Sequence, residues 1–291
     1  MPAAKRVNYS DVQVFFDSTR ILGVQSKDIQ AERQFQEVNP LGKLSNLQKI
    51  LTSNQTSNLT FSILVLENGF DPIETLDGLL NIDTIDIKII DLTSETLATG
   101  CYLQSYSLNI SVGEIPNFSV TYDADSISYN EQGALTYEDQ TEDQNVQYFR
   151  PQEVKVYGDS NYTEGIKSCD QIEECSVCLQ SVNISLDLNR TPVNRIGSFL
   201  PRMRYPTLPI NGSIDFSAFK KDIKGIDLSS IVCEKGSLFF NLESKFGGGG
   251  KYYEIKDCTL TSVNESVEVG GDTTINFSYQ FPLTKDSIEV T

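Results

Sequence analysis

The sequence predicts a mainly β chain of two tandem β-sandwich or barrel domains, each flanked by one α-helix. Three observations carry this expectation. The first is an internal repeat. Val24-Gln25-Ser26 aligns with Leu179-Gln180-Ser181 at an offset of 155, and the alignment runs on without a gap to Leu59-Thr60-Phe61-Ser62 against Ile214-Asp215-Phe216-Ser217. At an offset of 157, Cys101-Tyr102-Leu103 meets Cys258-Thr259-Leu260, Val112-Gly113 meets Val269-Gly270, and Tyr122 meets Tyr279. Upstream, Val12, Val14 and Asp17 pair with Val154, Val156 and Asp159 at an offset of 142. So long a period means two copies of a domain rather than a solenoid of short repeats. The second observation is strand-type patterning in each copy, and the third is size: 291 residues suit two domains with cores of their own.

The elements follow in order. Val24 to Val38 mixes β-branched and polar residues without a helical stripe, and Leu59 to Val65 alternates before turning apolar, as a strand entering a core does. Asp71-Pro72 opens a predicted helix over Pro72 to Leu80, with an acidic cap and Pro in the first turn. Its counterpart falls at Lys221 to Val232, weakened by Gly225. Ile85-Asp86-Ile87-Lys88-Ile89 alternates strictly. Leu103 to Val112 and Phe118 to Tyr122 flank Gly113-Glu114-Ile115-Pro116, which reads as a hairpin turn. Val263 to Val269, Gly270-Gly271-Asp272 and Ile275 to Tyr279 repeat that pattern. Longer loops are expected at Lys43 to Ser57 and at Ser198 to Asn211, the second stiffened by Pro201, Pro206 and Pro209 and carrying Arg202 and Arg204. The acidic stretch Asp123 to Gln147 reads as a linker or arm. The expected organisation is a first domain over 1–122, a linker over 123–150 and a second domain over 151–291, with an insertion around 161–177.

Charge and composition exclude much. There are 40 acidic and 23 basic residues, a net charge of −17, and no His or Trp. Such a chain repels phosphates and anionic membrane surfaces rather than holding them. Without His there is no His-based triad, general base or metal ligand. No window is apolar enough to span a bilayer, and the N-terminal residues do not read as a signal peptide. The Asn-x-Ser/Thr triplets, as at Asn58 and Asn276, then read as ordinary composition. The copies are unequally charged, with 8 basic against 21 acidic residues in 1–145 and 15 against 19 in 146–291.

No motif points to catalysis. Cys169, Cys175 and Cys178 would need Cys233 or Cys258 to complete a zinc site, and their spacing is not that of paired CxxC motifs; free or locally cross-linked thiols fit better. Cys101 and Cys258 share one repeat position and read as a small buried hydrophobe used twice. Gly247 to Gly250 is followed by Lys251-Tyr252-Tyr253 instead of a Lys-Ser/Thr helix start, so a hairpin tip is expected and not a phosphate loop. No carboxylate pair stands in a distinctive motif. The expectation is a structural protein with no catalytic residues, no metal and no cofactor.

Leu22-Gly23-Val24-Gln25-Ser26, leading to Val38-Asn39-Pro40-Leu41-Gly42, resembles the opening of phage tail tube proteins. The closing hairpin, Ser105 to Gly113 followed by Phe118 to Tyr122, resembles theirs too. The resemblance covers both copies, and it implies β-sandwich domains of tail-tube type whose inner strands join a barrel around a lumen that carries DNA as passing cargo. It further implies a virion protein assembled in the host cytoplasm. Its partners would be its own copies, in trimeric, pseudo-hexameric rings that stack, and tape measure, tail terminator and distal tail or baseplate proteins. A distal tail or tube-capping protein would share the fold and stop at one ring. A soluble β-sandwich ligand-binding module is the alternative of another class.

On the strands that resemble the inner barrel, Asp28, Glu32, Asp187, Glu265 and Glu268 are candidate lumen-facing acids, the alternative being an outer face. Arg202 and Arg204 are candidates for contact with the acidic surface of an adjacent ring.

Overall fold

The structure is a computed structural model and describes residues 12–32, 35–38, 48–51, 56–66, 69–75, 84–91, 94–130, 149, 154–158, 179–193, 195–196, 201, 203–219, 236–243, 250–267, 273–284 and 287–290. In the first half the strands are β1 (Gln13–Phe16), β2 (Thr19–Ile21), β3 (Val24–Glu32), β4 (Phe35–Val38), β5 (Gln48–Leu51), β6 (Thr56–Leu64), β7 (Ile85–Ile90), β8 (Glu95–Ser111), β9 (Asn117–Ala124) and β10 (Ser126–Asn130). In the second they are β11 (Val154–Gly158), β12 (Leu179–Asp187), β13 (Arg190–Val193), β14 (Met203–Pro206), β15 (Asn211–Phe219), β16 (Gly236–Glu243), β17 (Gly250–Val267), β18 (Thr273–Pro282) and β19 (Ile288–Val290).

Eight of these form one antiparallel layer in the order β3-β6-β9-β8-β12-β15-β18-β17. Four come from each half, and the order within the first four is repeated in the second. Registers repeat as well. Phe61 opposes Val120 in β6–β9, and Phe216 opposes Phe277 in β15–β18, at the offsets of 155 and 157 read from the sequence. Irregularities repeat too: the register slips between Val24 and Ser26 in β3 and between Leu179 and Ser181 in β12. It slips again between Leu103 and Ser105 in β8 and between Leu260 and Ser262 in β17. The layer passes from one half to the other through β8 and β12, from Ser111 opposite Ser181 to Ser105 opposite Asp187.

Strands β8 and β17 are long, and each belongs to two layers. The first part of β8 joins an outer group with β7, β1, β2 and β10, and the first part of β17 joins one with β16, β11 and β19. Both strands turn at corresponding points, Gly100 with φ +63° and Asp257 with φ +58°. At Gly100 a side chain would also strike Asp125, since a Cβ there lies 2.7 Å from its Oδ2. Between the layers lies the core. From the inner layer come Leu59, Phe61, Val120, Leu108, Ile184 and Ile214, and from the outer groups Phe16, Ile87, Ile89, Tyr253 and Ile255. Phe16 meets Phe61, Phe70 and Tyr122 edge-on, with centroids 5.3–5.6 Å apart.

The mainly β expectation holds, with three departures. Among the described residues there is no α-helix: Pro72–Thr75 is a single 3-10 turn, capped as expected by Asp71, whose Oδ1 accepts from the Ile73 amide at 3.0 Å. Residues 76–83 and 220–235, with the rest of the expected helices, lie outside the described residues. Each expected long loop supplies one strand, β5 and β14, which pairs back on the strand before the loop, β4 and β13. The acidic stretch does not begin at 123. Asp123 and Ala124 end β9, and β10 pairs along β8 from Ser126–Thr99 to Asn130–Glu95. Cys101 and Cys258 are buried, as expected; Cys169, Cys175, Cys178, Cys233 and the insertion around 161–177 lie outside the described residues.

Candidate functional site, a polar sheet face

Alternation along the eight-stranded layer sends apolar side chains into the core and a different set to the opposite face. On β3 that set is Ser26, Asp28, Gln30 and Glu32, on β8 it is Ser105, Ser107, Asn109 and Ser111, and on β12 it is Ser181, Asn183, Ser185 and Asp187. Neighbouring strands continue it with Thr60 and Thr121, Ser213 and Asp215, Asn276 and Ser278, and Asn264 and Ser266. None of the described positions on this face is Lys or Arg.

Its groups bond to one another across strands. Asn183 Nδ2 donates to Asn109 Oδ1 at 2.8 Å, and Ser278 Oγ donates to Asp215 Oδ1 at 2.6 Å. Hydroxyl pairs link Ser181 with Ser217 and Ser185 with Ser213, both at 2.7 Å, Ser266 with Thr274 at 2.6 Å, and Thr60 with Thr121 at 3.2 Å. Each such pair stabilises the layer by about 0.2–1 kcal/mol. The outcome is a surface of short neutral groups already bonded to each other, dotted with carboxylates.

Three of the five acids expected on one face are there: Asp28, Glu32 and Asp187 are exposed on it. Glu265 is not. Beyond the irregularity at Leu260–Ser262 it falls in phase with Val263 and Val267, opposite Ile275, on the side that faces the core elsewhere. Glu268 lies outside the described residues, as does Arg202. Asp215 joins the face unpredicted. Its signal is the alternation Ser213, Asp215, Ser217, in phase with Asn183 on the neighbouring strand.

Arg204 is a second correction. It is 3% exposed and serves its own chain. Hairpin β13–β14 folds over the end of the face, and the Arg204 guanidinium pairs with Asp123 and, at 3.3 Å, with Asp125. Arg190, also buried, donates from Nε to the Leu103 carbonyl at 2.9 Å. Both guanidinium groups lie over the Tyr102 ring, 5.6 Å and 5.5 Å from its centroid. The clasp thus ties a hairpin of the second half to β8 and β9 of the first. Burial raises the Asp125 carboxyl above its ordinary range; Arg204 draws it back and Asp123 pushes it further up. Burial likewise raises Tyr102 and lowers Arg190. Elsewhere the halves meet at Asp71, which is 1% exposed and accepts from Tyr253 Oη at 2.8 Å.

No protein-family model matches the chain, and no curated protein matches it either. Among the solved structures that resemble it is a tube-terminating cap. This is the cap of an anti-feeding prophage, determined by cryo-electron microscopy, at 14% identity and a TM-score of 0.36, covering 45% of this chain and 95% of that one.

Proposed function

We propose that the chain is a structural subunit of a phage-type tail tube, three copies of which make a pseudo-hexameric ring that stacks into a conduit for DNA ejection. One observation carries the reading: an eight-stranded layer spans both halves and presents a face of mutually bonded hydroxyls, amides and carboxylates, with no Lys or Arg among its described positions. A conduit wall has to let a polyphosphate slide. Binding by counterion release needs cations, and this face offers a passing phosphate only neutral groups and like charge. Dimensions agree with the reading. Three copies give a barrel of about 24 strands, and at about 4.8 Å spacing and about 40° tilt its backbone radius is about 24 Å. Side chains as short as Ser and Asn leave most of that bore open. The resemblance of both copies to tail tube proteins supports the same assignment. In this role the chain is a virion component that works with other tail proteins and has no catalytic residue, metal or cofactor.

Electron microscopy of the purified protein in negative stain, over a range of concentration and salt, tests this. Hollow tubes with three-fold rings are expected. Closed rings that never stack would make it a terminal tail component, and particles that stay monomeric throughout would count against the family reading. In virions, Asp28→Lys, Glu32→Lys and Asp187→Lys together should leave assembly intact and slow genome ejection. Ejection at the ordinary rate would remove these residues from the lumen.

A further inference from the structure

The seam between the two halves is a template for a seam between two copies. Inside the chain, β8 pairs with β12, and its core-side positions are closed: Tyr106, Leu108 and Ile110 on one strand, Val182, Ile184 and Leu186 on the other, none more than 3% exposed. The equivalent strands at the ends of the layer, β3 and β17, have no partner on their outer edges among the described residues. Moving the internal register by the repeat offsets sets Lys27 opposite Val267, Ile29 opposite Glu265, and Ala31 opposite Val263. Those positions have lost their cover. Val267 is 68% exposed where its counterpart Ile110 is 3%, Glu265 and Ala31 are exposed, and Lys27 and Ile29 are half-buried.

We propose that β3 of one copy pairs antiparallel with β17 of a second copy, from Lys27–Val267 to Glu32–Ser262. On the core side of the layer the two edges differ in charge, Lys27 with Ile29 and Ala31 on one and Glu265 with Val263 and Val267 on the other. In this register Lys27 and Glu265 are diagonal neighbours on the same side of the layer, a separation that long side chains bridge. One edge brings the cation and the other the anion, so the contact is heterologous and repeats head to tail; like edges are not favoured. On the polar side, Asp28 faces Ser266 and Gln30 faces Asn264, continuing the ladder that Asn183 and Asn109 make internally.

The new seam also lacks the clasp. Where the first half has Tyr102, Asp123 and Asp125 beneath the two arginines, the second has Thr259, Gln280 and Pro282, all exposed. The joint between copies is therefore the weaker of the two kinds, closing on strand pairing and the Lys27–Glu265 contact. This seam deepens the tail-tube reading and rests on it only for closure into a ring.

The test uses the full chain. Lys27→Glu and Glu265→Lys, each alone, are expected to weaken self-association in sedimentation velocity roughly tenfold, and the double exchange to restore it. Separately, Gln30→Cys with Asn264→Cys in one chain should give a ladder of disulfide-linked oligomers on oxidation. Ser26→Cys with Ser262→Cys, far out of register, should give no more than the unaltered protein. The cysteine pair is read on unaltered charges, so a reversal that fails to fold does not decide the matter. Single reversals that associate as tightly as the unaltered chain, equal cross-linking by both pairs, or a monomer that never cross-links would each overturn the seam. Tubes that form despite either reversal would leave the tail-tube reading standing and sink the seam. Cross-linked rings that never stack would do the opposite.

Discussion

Arg204→Met removes the cation at the centre of the clasp while keeping most of the side-chain volume. Breaking a fully buried ion pair costs about 3–5 kcal/mol, and an exposed pair is worth about 0–1. Here the guanidinium is 3% exposed and its partners Asp123 and Asp125 are 22% and 25% exposed. The expected loss is therefore about 2–3 kcal/mol, including the stacking on Tyr102, which lowers the melting temperature by roughly 4–10 °C. The pH dependence has a definite sign. Burial raises the Asp125 pKa above its ordinary value of 3.8, so the folded state holds its proton longer, and stability falls as pH rises through that window. Arg204 limits the rise. Without it the window widens upward, so the deficit of the variant should be small below pH 3.8 and grow toward neutral pH. Urea unfolding of both proteins across this range measures it. Equal midpoints at neutral pH, or a deficit that does not shrink in acid, would refute the argument.

Gly212→Ala should destabilise the fold by about 1–3 kcal/mol, because the new Cβ would stand 2.1 Å from Phe281 Cζ and 2.7 Å from Leu186 Cδ2. Thermal unfolding reads this, and a stabilised variant would show that the layers yield there. Tyr253→Phe removes the 2.8 Å donor to buried Asp71, with an expected cost of about 1–3 kcal/mol. A loss no larger than that of a surface Tyr→Phe would mean the bond adds nothing. Burial pushes the Cys101 thiol up to about 12, so near pH 8 only about one molecule in 10⁴ carries the thiolate. Iodoacetamide should leave Cys101 unmodified in the folded protein and alkylate it in guanidinium, which peptide mass mapping distinguishes.

The repeat made the inner layer legible, because offsets preserved over tens of residues carry strand order and register with them. The polar face was legible where hydroxyls and amides alternate strictly with apolar residues, as in Tyr106-Ser107-Leu108-Asn109-Ile110. It was not legible along Thr261-Ser262-Val263-Asn264-Glu265-Ser266, where nearly every residue is polar and the irregularity at Leu260–Ser262 resets the phase. The alignment itself held the answer, since Glu265 stands at the position of buried Leu108. Arg204 was misread for a different reason. A basic residue among prolines looks like an exposed loop, and only the closing of hairpin β13–β14 onto Asp123 and Asp125, about eighty positions earlier, buries it. Local pattern carries no information about such a distant partner.

Strands β8 and β17 pass through both layers, turning at Gly100 and Asp257. A polypeptide threaded in this way is a load path. Force applied to an outer group reaches the polar face along covalent backbone and not only through side chains sliding past one another. Neither layer can peel off as a unit, because detaching it tears hydrogen bonds on a strand that the other still grips. The two layers then bend or break together, as one plate.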